Sequence, residues 1–288
     1  MITSGNQVKS ELIDINSRFL QELQGELDEE VAKKTLAEFL FRNIGIAWFM
    51  LTRQHIYFYQ EMLIRSWFQR NYSMNIISRA GAKSYCAAIF ACLYSIFYPG
   101  SKVVVVSSNF RRSRAILAQM EMFINARGSD LLRQCFVRPV SHKNDEWVIP
   151  IGDGYVKALP LSNGDAIRGE RAELIIGDEA RLINRPIWEA VILPFLAAQT
   201  GIQDKIRKEE VEDALIKKGL LEKGGEEAYR SLKRVVLLSS ASYTFEYLHD
   251  KFQEWIKQTL DGKSSSATYF VCQMGHEALP KTLIEKAI

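Results

Sequence analysis

Two adjacent carboxylates, Asp178 and Glu179, follow the run Glu173-Leu174-Ile175-Ile176-Gly177 and precede Ala180. Three apolar residues in succession are too few for a helix and suit a strand buried on both faces of a parallel sheet. In an open α/β sheet, ligands bind beyond the C-terminal ends of the strands. One carboxylate there can hold a metal ion while its neighbour, facing the other way along the pleat, handles a proton. A strand ending in a solvated acidic turn is the alternative reading of the same residues.

A second candidate lies upstream. Asn75-Ile76-Ile77-Ser78 reads as a short strand, Arg79-Ala80-Gly81-Ala82-Lys83-Ser84 as a turn, and Tyr85 to Tyr94 as a helix rich in small residues. Strand, glycine-bearing turn, Lys-Ser and helix form the setting of a phosphate-binding loop. In such a loop the backbone N–H groups and the helix N-terminus face the phosphates, Lys83 reaches the β/γ oxygens and the Ser84 hydroxyl ligates Mg²⁺. The strict pattern G-x-x-x-x-G-K-S/T is not met, because Ile77 and Ala82 occupy its glycine positions. Taken alone, an ordinary strand–turn–helix is the plainer account.

The elements that must position these residues can be read around them. Val103-Val104-Val105-Val106 is a buried parallel strand ending at Ser107-Ser108, and Ile116 to Ile124 belongs to the helix after it. Arg111, Arg112 and Arg114 open that helix, where they could meet phosphates or simply be solvated. Residues 126–172 read as strands and loops, with a hairpin from Trp147–Pro150 to Tyr155–Pro160 turning at Gly152-Asp153-Gly154. A polar loop then carries Arg168-Gly169 just ahead of the acidic strand; a surface arginine is the plain reading of it. Pro186 is acceptable in the first turn of a helix opening at Arg185. Arg234-Val235-Val236-Leu237-Leu238 is another buried strand and ends in Ser239-Ser240-Ala241-Ser242; Thr244 to Leu260 is a helix, and Ala267 to Cys272 a further strand.

Composition narrows the class. The 288 residues can bury a sizeable core, and 47% hydrophobic with 25% charged residues is an ordinary globular balance. A net charge of +3 is too small to argue nucleic-acid binding from total charge. Four cysteines without a CxxC pair and four scattered histidines argue against a disulfide framework or zinc site and for a reducing compartment. The bracket Arg42 to Arg53 around Ile44–Leu51 is too short to span a bilayer, and the polar N-terminus has no signal-peptide core. A soluble intracellular protein is expected. Residues 1–50 read as two or three helices, and the mixed charges of 202–231 as a solvated helical insertion.

Four strands thus end in small, polar or acidic residues: at Ser78–Ser84, Ser107–Ser108, Asp178–Glu179 and Ser239–Ser242. A parallel sheet places all four ends on one edge, where a nucleotide would sit. In this order the chain, from about Ile56 onward, resembles the ATPase domain of the large terminase subunit of tailed bacteriophages. Tyr59-Gln60 followed by Met62-Leu63 resembles the family's adenine-recognising glutamine motif. Ser78-Arg79-Ala80-Gly81-Ala82-Lys83-Ser84 is similar to its variant Walker A loop, Arg168-Gly169 with Leu174–Ala180 to its RG and Walker B signature, and Ser239–Ser242 to its coupling motif.

The resemblance implies an α/β, RecA-like (ASCE) P-loop NTPase fold: a central, mostly parallel β-sheet flanked by helices, after an N-terminal helical segment. It implies a helical subdomain over 1–55, the ATPase domain over 56–272 with 202–231 inserted, and over 273–288 the start of a linker towards a nuclease domain. The cofactors implied are ATP and Mg²⁺. Ser78, Arg79, Ala80, Gly81, Ala82 and Lys83 would hold the phosphates, Ser84 and Asp178 the metal, and Glu179 would activate water. Arg79 would neutralise transition-state charge in cis, and Arg168 would reach a neighbouring subunit's nucleotide. Ser239 would touch the nucleotide and pass its state to DNA-gripping surfaces. The implied partners are double-stranded DNA, a portal protein and procapsid, a small terminase subunit and further copies in a ring, with the isolated chain monomeric, and no membrane. The implied location is the host cytoplasm. Ala82 stands where the family usually has glycine, which predicts lower nucleotide affinity. A RecA-like helicase or DNA translocase, or a nucleic-acid-binding scaffold with a decayed P-loop, are the competing readings.

Overall fold

The computed structural model describes residues 29–77, 81–136, 138–143, 146–161, 167–197, 233–240, 247–262 and 268–273. The chain divides into two compact units, Met1–Ala47 and Trp48–Ile288. The helices before the sheet are α1 (Glu29–Arg42), α2 (Ile44–Thr52) and α3 (Phe58–Gln69). The expected insertion at 202–231, the loop residues Ser78–Ala80 and the segment from 274 onward lie outside the described residues.

Eight strands form one sheet: β1 (Tyr72–Ile77), β2 (Lys102–Ser107), β3 (Ser141–His142), β4 (Trp147–Ile151), β5 (Gly154–Pro160), β6 (Leu174–Asp178), β7 (Arg234–Ser239) and β8 (Thr268–Gln273). Their order is β3-β4-β5-β2-β6-β7-β1-β8. From β5 to β8 every neighbouring pair is parallel, and β3-β4-β5 adds an antiparallel edge. This is the mostly parallel, helix-flanked sheet that the valine-rich and isoleucine-rich runs predicted. Strands buried on both faces need no polar alternation, so Val103–Val106 and Leu174–Ile176 are all fully buried.

Helices α4 (Lys83–Phe97) and α5 (Phe110–Asn125) follow β1 and β2, and both pack on β2 and β5. Cys86 to Ser95 of α4 are buried without a break, as a central crossover helix requires. Helix α3 lies against α4 through Trp67 and Phe68, whose rings meet Phe90 edge-on at 5.4 and 4.8 Å. A polar relay ties these layers together: Trp67 Nε1 donates to Asn75 Oδ1 at 2.9 Å, and Asn75 Nδ2 donates to the Leu237 carbonyl at 3.0 Å. It fixes β1 between α3 and β7, which matters because β1 leads into the loop before Lys83.

A second apolar cluster joins Val104, Val106, Ile175, Val235 and Leu237 to Trp188, Ile192 and Phe195. The last three come from 185–197, where Arg185–Ile187 is helical with Pro186 in its first turn, Trp188–Ile192 is a π-turn and Pro194–Ala197 is helical again. Gly177 lets these side chains close on the strand: a Cβ on it would lie 3.2 Å from both the Trp188 ring and Leu237 Cδ2. Helix α7 (Tyr247–Leu260) adds Leu248 to this cluster.

The structure departs from expectation within 126–172. Asp130–Cys135 forms a helix, α6, where only strands and loops were expected. Only Leu132 of it is buried, and a six-residue helix is too short for an apolar period to show.

Candidate active site

The site is built where β2, β6, β7 and β1 end side by side. In register, Ser107 of β2 sits opposite Asp178 of β6, Asp178 opposite Leu238 of β7, and Ser239 opposite Ile76 of β1. All four strand ends singled out in the sequence therefore meet on one edge.

Helix α4 presents its N-terminus to that edge. Its first turn contains no acidic residue, and its leading N–H groups carry the positive end of a fifteen-residue helix. Ala82 is the residue before the first turn and is held at φ 56°, ψ 26°, the left-handed conformation that glycine adopts without strain. Ala82 thus occupies a glycine position of the pattern at which the backbone does demand a left-handed conformation. Lys83 opens the helix, and its ammonium donates to the Ile77 carbonyl at 2.9 Å, reaching back across the loop to the end of β1.

Asp178 closes β6 and is 6% exposed. Burial, and after it the neighbouring Glu179 charge, push its carboxyl up to about 6; Lys83, the Glu179 N–H and Arg112 pull the other way. Asp178 therefore lies in the field of the loop lysine, which places the two key sequence candidates together. Among the described residues the Ser107 and Ser239 hydroxyls, buried at the same edge, have no hydrogen-bond partner.

Glu179 is not the next residue of the pleat. β6 ends at Asp178, and Glu179 turns into the left-handed region at φ 48°, ψ 48° to start the 3₁₀ turn Ala180–Leu182. The expected opposite facing along a strand gives way to a turn because the chain leaves the sheet here. The Glu179 Oε2 accepts long hydrogen bonds from Arg181 Nε and Ser240 Oγ, both at 3.4 Å. Ser240, one residue past β7, is thus the hydroxyl that touches the carboxylate, and Ser239 is the buried one beside it.

Arg112 is one of the three arginines for which phosphate contact and plain solvation were both open, and its charge acts on Asp178. Asn109 caps α5 by accepting the Arg112 backbone N–H at 3.0 Å, which sets the first turn of α5 beside the end of β2. Of its companions, Arg114 is stacked over Trp147 at 4.8 Å. Asn109 in cap position was the available sequence signal. Arg168 stands exposed in a turn with Gly169 at φ 91°, between buried Ile167 and Glu170, which accepts from Lys157 at 3.0 Å. Gln60 is buried in α3, with its Oε1 accepting the Tyr57 N–H at 2.9 Å.

A divalent cation suits the donors present. The Ser84 hydroxyl and the Asp178 carboxylate are hard oxygen donors, and the ionised form of buried Asp178 is only partly offset by Lys83, the Glu179 N–H and Arg112. Among the described residues no cluster of three or more His, Cys, Asp or Glu side chains could hold a metal. Mg²⁺ needs none, since it binds through one or two carboxylates plus phosphates and water.

The fold has known counterparts. The ATPase domain of the large terminase of Thermus phage P74-26 matches with a TM-score of 0.55 at 13% identity, covering 83% of this chain and 89% of that one. The large terminase of a thermophilic bacteriophage matches with a TM-score of 0.54 at 10% identity, covering 81% of this chain and 50% of that one. The chain has the fold of a large-terminase ATPase domain. It spans about half the length of the second of these proteins. No family model matches the sequence, and no curated protein does. Among the described residues no helix is long and apolar enough to cross a membrane.

Proposed function

We propose that this chain is the ATP-hydrolysing motor of a viral terminase, using Mg-ATP to drive double-stranded DNA into a procapsid in the host cytoplasm. The observation that supports it best is the convergence of Lys83, Asp178 and the Glu179–Ser240 contact at adjacent ends of one parallel sheet. Shared fold with terminase ATPase domains adds to it.

In this reading the α4 N-terminus and Lys83 hold the β and γ phosphates, Lys83 exchanging the Ile77 carbonyl for phosphate oxygen. Ser84 and Asp178 would hold the magnesium ion, which when bound neutralises phosphate charge. Glu179 orients and deprotonates the attacking water, and leaves its long contacts to Arg181 and Ser240 to do so. Arg79 stabilises developing charge in cis, while Arg168, exposed on its turn, serves the nucleotide of a neighbouring copy in a ring. Ser239 and Ser240 link the Glu179 carboxylate to β7 and so to DNA-gripping surfaces. A portal protein and a small terminase subunit complete the assembly.

ATP turnover by Lys83→Ala and Glu179→Ala tests the assignment. Each variant should lose at least about a hundredfold in kcat, the scale of an acid–base or charge-stabilising group. Undiminished hydrolysis in either would sink it. Mixing Arg168→Ala with Glu179→Ala subunits on proheads should restore part of the turnover, and filled proheads distinguish a packaging motor from a helicase.

A further inference from the structure

We infer that Ser107 is a positioning residue for the metal: its hydroxyl donates to the Asp178 carboxylate when that carboxylate holds the cation. The inference rests on the metal-binding reading of Asp178 above and concerns which group orients it.

Ser107 is the last residue of β2, Asp178 is the last of β6, and the two are partners in register on adjacent parallel strands. Partners in register point to the same face of a sheet, and the faces alternate along each strand. Val104 and Val106 of β2, Ile175 of β6, and Val235 and Leu237 of β7 all lie in the cluster around Trp188 and Phe195. Ser107 and Asp178 are out of step with these residues, so both side chains leave the sheet on its other face. Ser239 is in step with Val235 and Leu237 and belongs to the Trp188 side. Of the two buried serines at this edge, Ser107 is therefore the one that shares a face with Asp178.

Their other neighbours leave this pair to each other. Ser107 is in register with Pro160 of β5 on its far side, and Asp178 with Leu238 of β7; neither side chain can hydrogen-bond. Ser107 is 0% exposed, and its hydroxyl has no hydrogen-bond partner among the described residues. A buried hydroxyl without a partner costs stability, and one closed off from solvent cannot be served by bulk water. Turning χ1 to another staggered position moves the serine oxygen while the strand stays in place. A carboxylate offers about four acceptor sites, enough for the Glu179 N–H, a cation and one hydroxyl proton together. Carboxylates that ligate metals are themselves hydrogen-bonded, and losing such a partner typically costs about 10–100-fold in metal affinity.

Mn²⁺ accepts the same oxygen donors as Mg²⁺, and its binding to the intact chain with the non-hydrolysable analogue AMP-PNP can be followed by electron paramagnetic resonance without turnover. Ser107→Ala should weaken Mn²⁺ about tenfold. It should also keep or raise the melting temperature of the free chain, because it deletes a buried hydroxyl that has no partner there. Ser73→Ala is the control: it deletes another fully buried, unpartnered hydroxyl, near the start of β1 and away from this edge. It should have the same effect on melting and none on Mn²⁺. A Mn²⁺ affinity of Ser107→Ala within about threefold of the parent overturns the inference, being well short of a lost outer partner. A lower melting temperature in Ser107→Ala, or an equal loss of Mn²⁺ in Ser73→Ala, overturns it as well. Asp178→Asn separates the inference from the reading beneath it. If that variant binds Mn²⁺ as the parent does, or the parent binds none, the metal reading falls and takes the inference with it.

Discussion

Replacing Asp178 by Asn should stabilise the nucleotide-free chain at pH 8 while abolishing its Mg-ATP response. The carboxyl is raised from its ordinary 3.8 to about 6, with burial as the leading cause. Between these two values the folded chain binds a proton that the unfolded chain has already released. Stability contributed by this group therefore falls as pH rises through that window, and above about 6 the penalty is constant. At about 1.4 kcal/mol per pH unit, the gap amounts to about 3 kcal/mol. At 6% exposure, solvent screens little of it. Asparagine has nearly the same shape, carries no charge and can still accept the Glu179 N–H. Urea denaturation followed by tryptophan fluorescence, without nucleotide or magnesium, gives the stability difference between variant and parent at each pH. Taking that difference cancels the other titrating groups. The variant should exceed the parent by about 2–3 kcal/mol at pH 8, shrinking to near zero at about pH 4. ATP with Mg²⁺ should raise the melting temperature of the parent and not of the variant. A variant less stable than the parent at pH 8, or a difference that ignores pH, would refute the reasoning.

Three further changes probe the backbone and the coupling contact. Ala82→Gly removes a left-handed strain of about 1–2 kcal/mol but adds about 0.4–1 kcal/mol of unfolded-state freedom, so thermal melting should show neutral to slightly raised stability. A loss above about 1 kcal/mol would contradict the strain. Gly154→Ala drives a Cβ into the Ser101 carbonyl oxygen, a clash with backbone that cannot swing away. Denaturation should show a loss of about 3 kcal/mol or more, or no soluble protein. Ser240→Ala removes the 3.4 Å contact to Glu179 at a stability cost below about 1 kcal/mol, and should lower kcat several-fold with KM unchanged.

What could be read in advance divides along physical lines. Val103–Val106 and Leu174–Ile176 were legible as strands because a parallel sheet buries both faces and leaves an unbroken apolar run. Their polar ends located the site edge for the same reason. The strand order was not legible: β1 lies between β7 and β8, its neighbours in the sheet but distant from it along the chain. Short helix α6 gave no period to detect. At the site itself, residue types at Lys83, Ser84, Asp178 and Glu179 announced a chemistry, whereas backbone state did not. Nothing in the letters Asp-Glu-Ala says that Glu179 leaves the pleat at φ 48°. Gln60 shows the converse: its type suggested base recognition, while its position as third residue of α3 gave it a capping bond.

The unfavourable features of this chain are gathered at one edge. Ala82 and Glu179 are two of the three non-glycine residues with positive φ among those described, and they flank the site on β1–α4 and β6. Asp178 is a buried acid pushed out of its usual range, and the Ser107 and Ser239 hydroxyls beside it are buried without partners among the described residues. Each of these costs stability in the free chain, and the continuous burial of α4 and of the parallel strands allows the fold to carry them. An anionic ligand bound with a cation would reverse the electrostatic part: the cation restores the ionised form of Asp178, and the phosphates meet Lys83 and the open end of α4. Backbone strain would persist, because it belongs to the loop geometry and not to charge. Nucleotide binding should therefore remove the pH dependence of Asp178 and leave the stability effect of Ala82→Gly intact. Denaturation of parent, Asp178→Asn and Ala82→Gly with and without Mg-ATP separates the two contributions, and a nucleotide that erased both effects or neither would show that strain and charge at this edge are a single device.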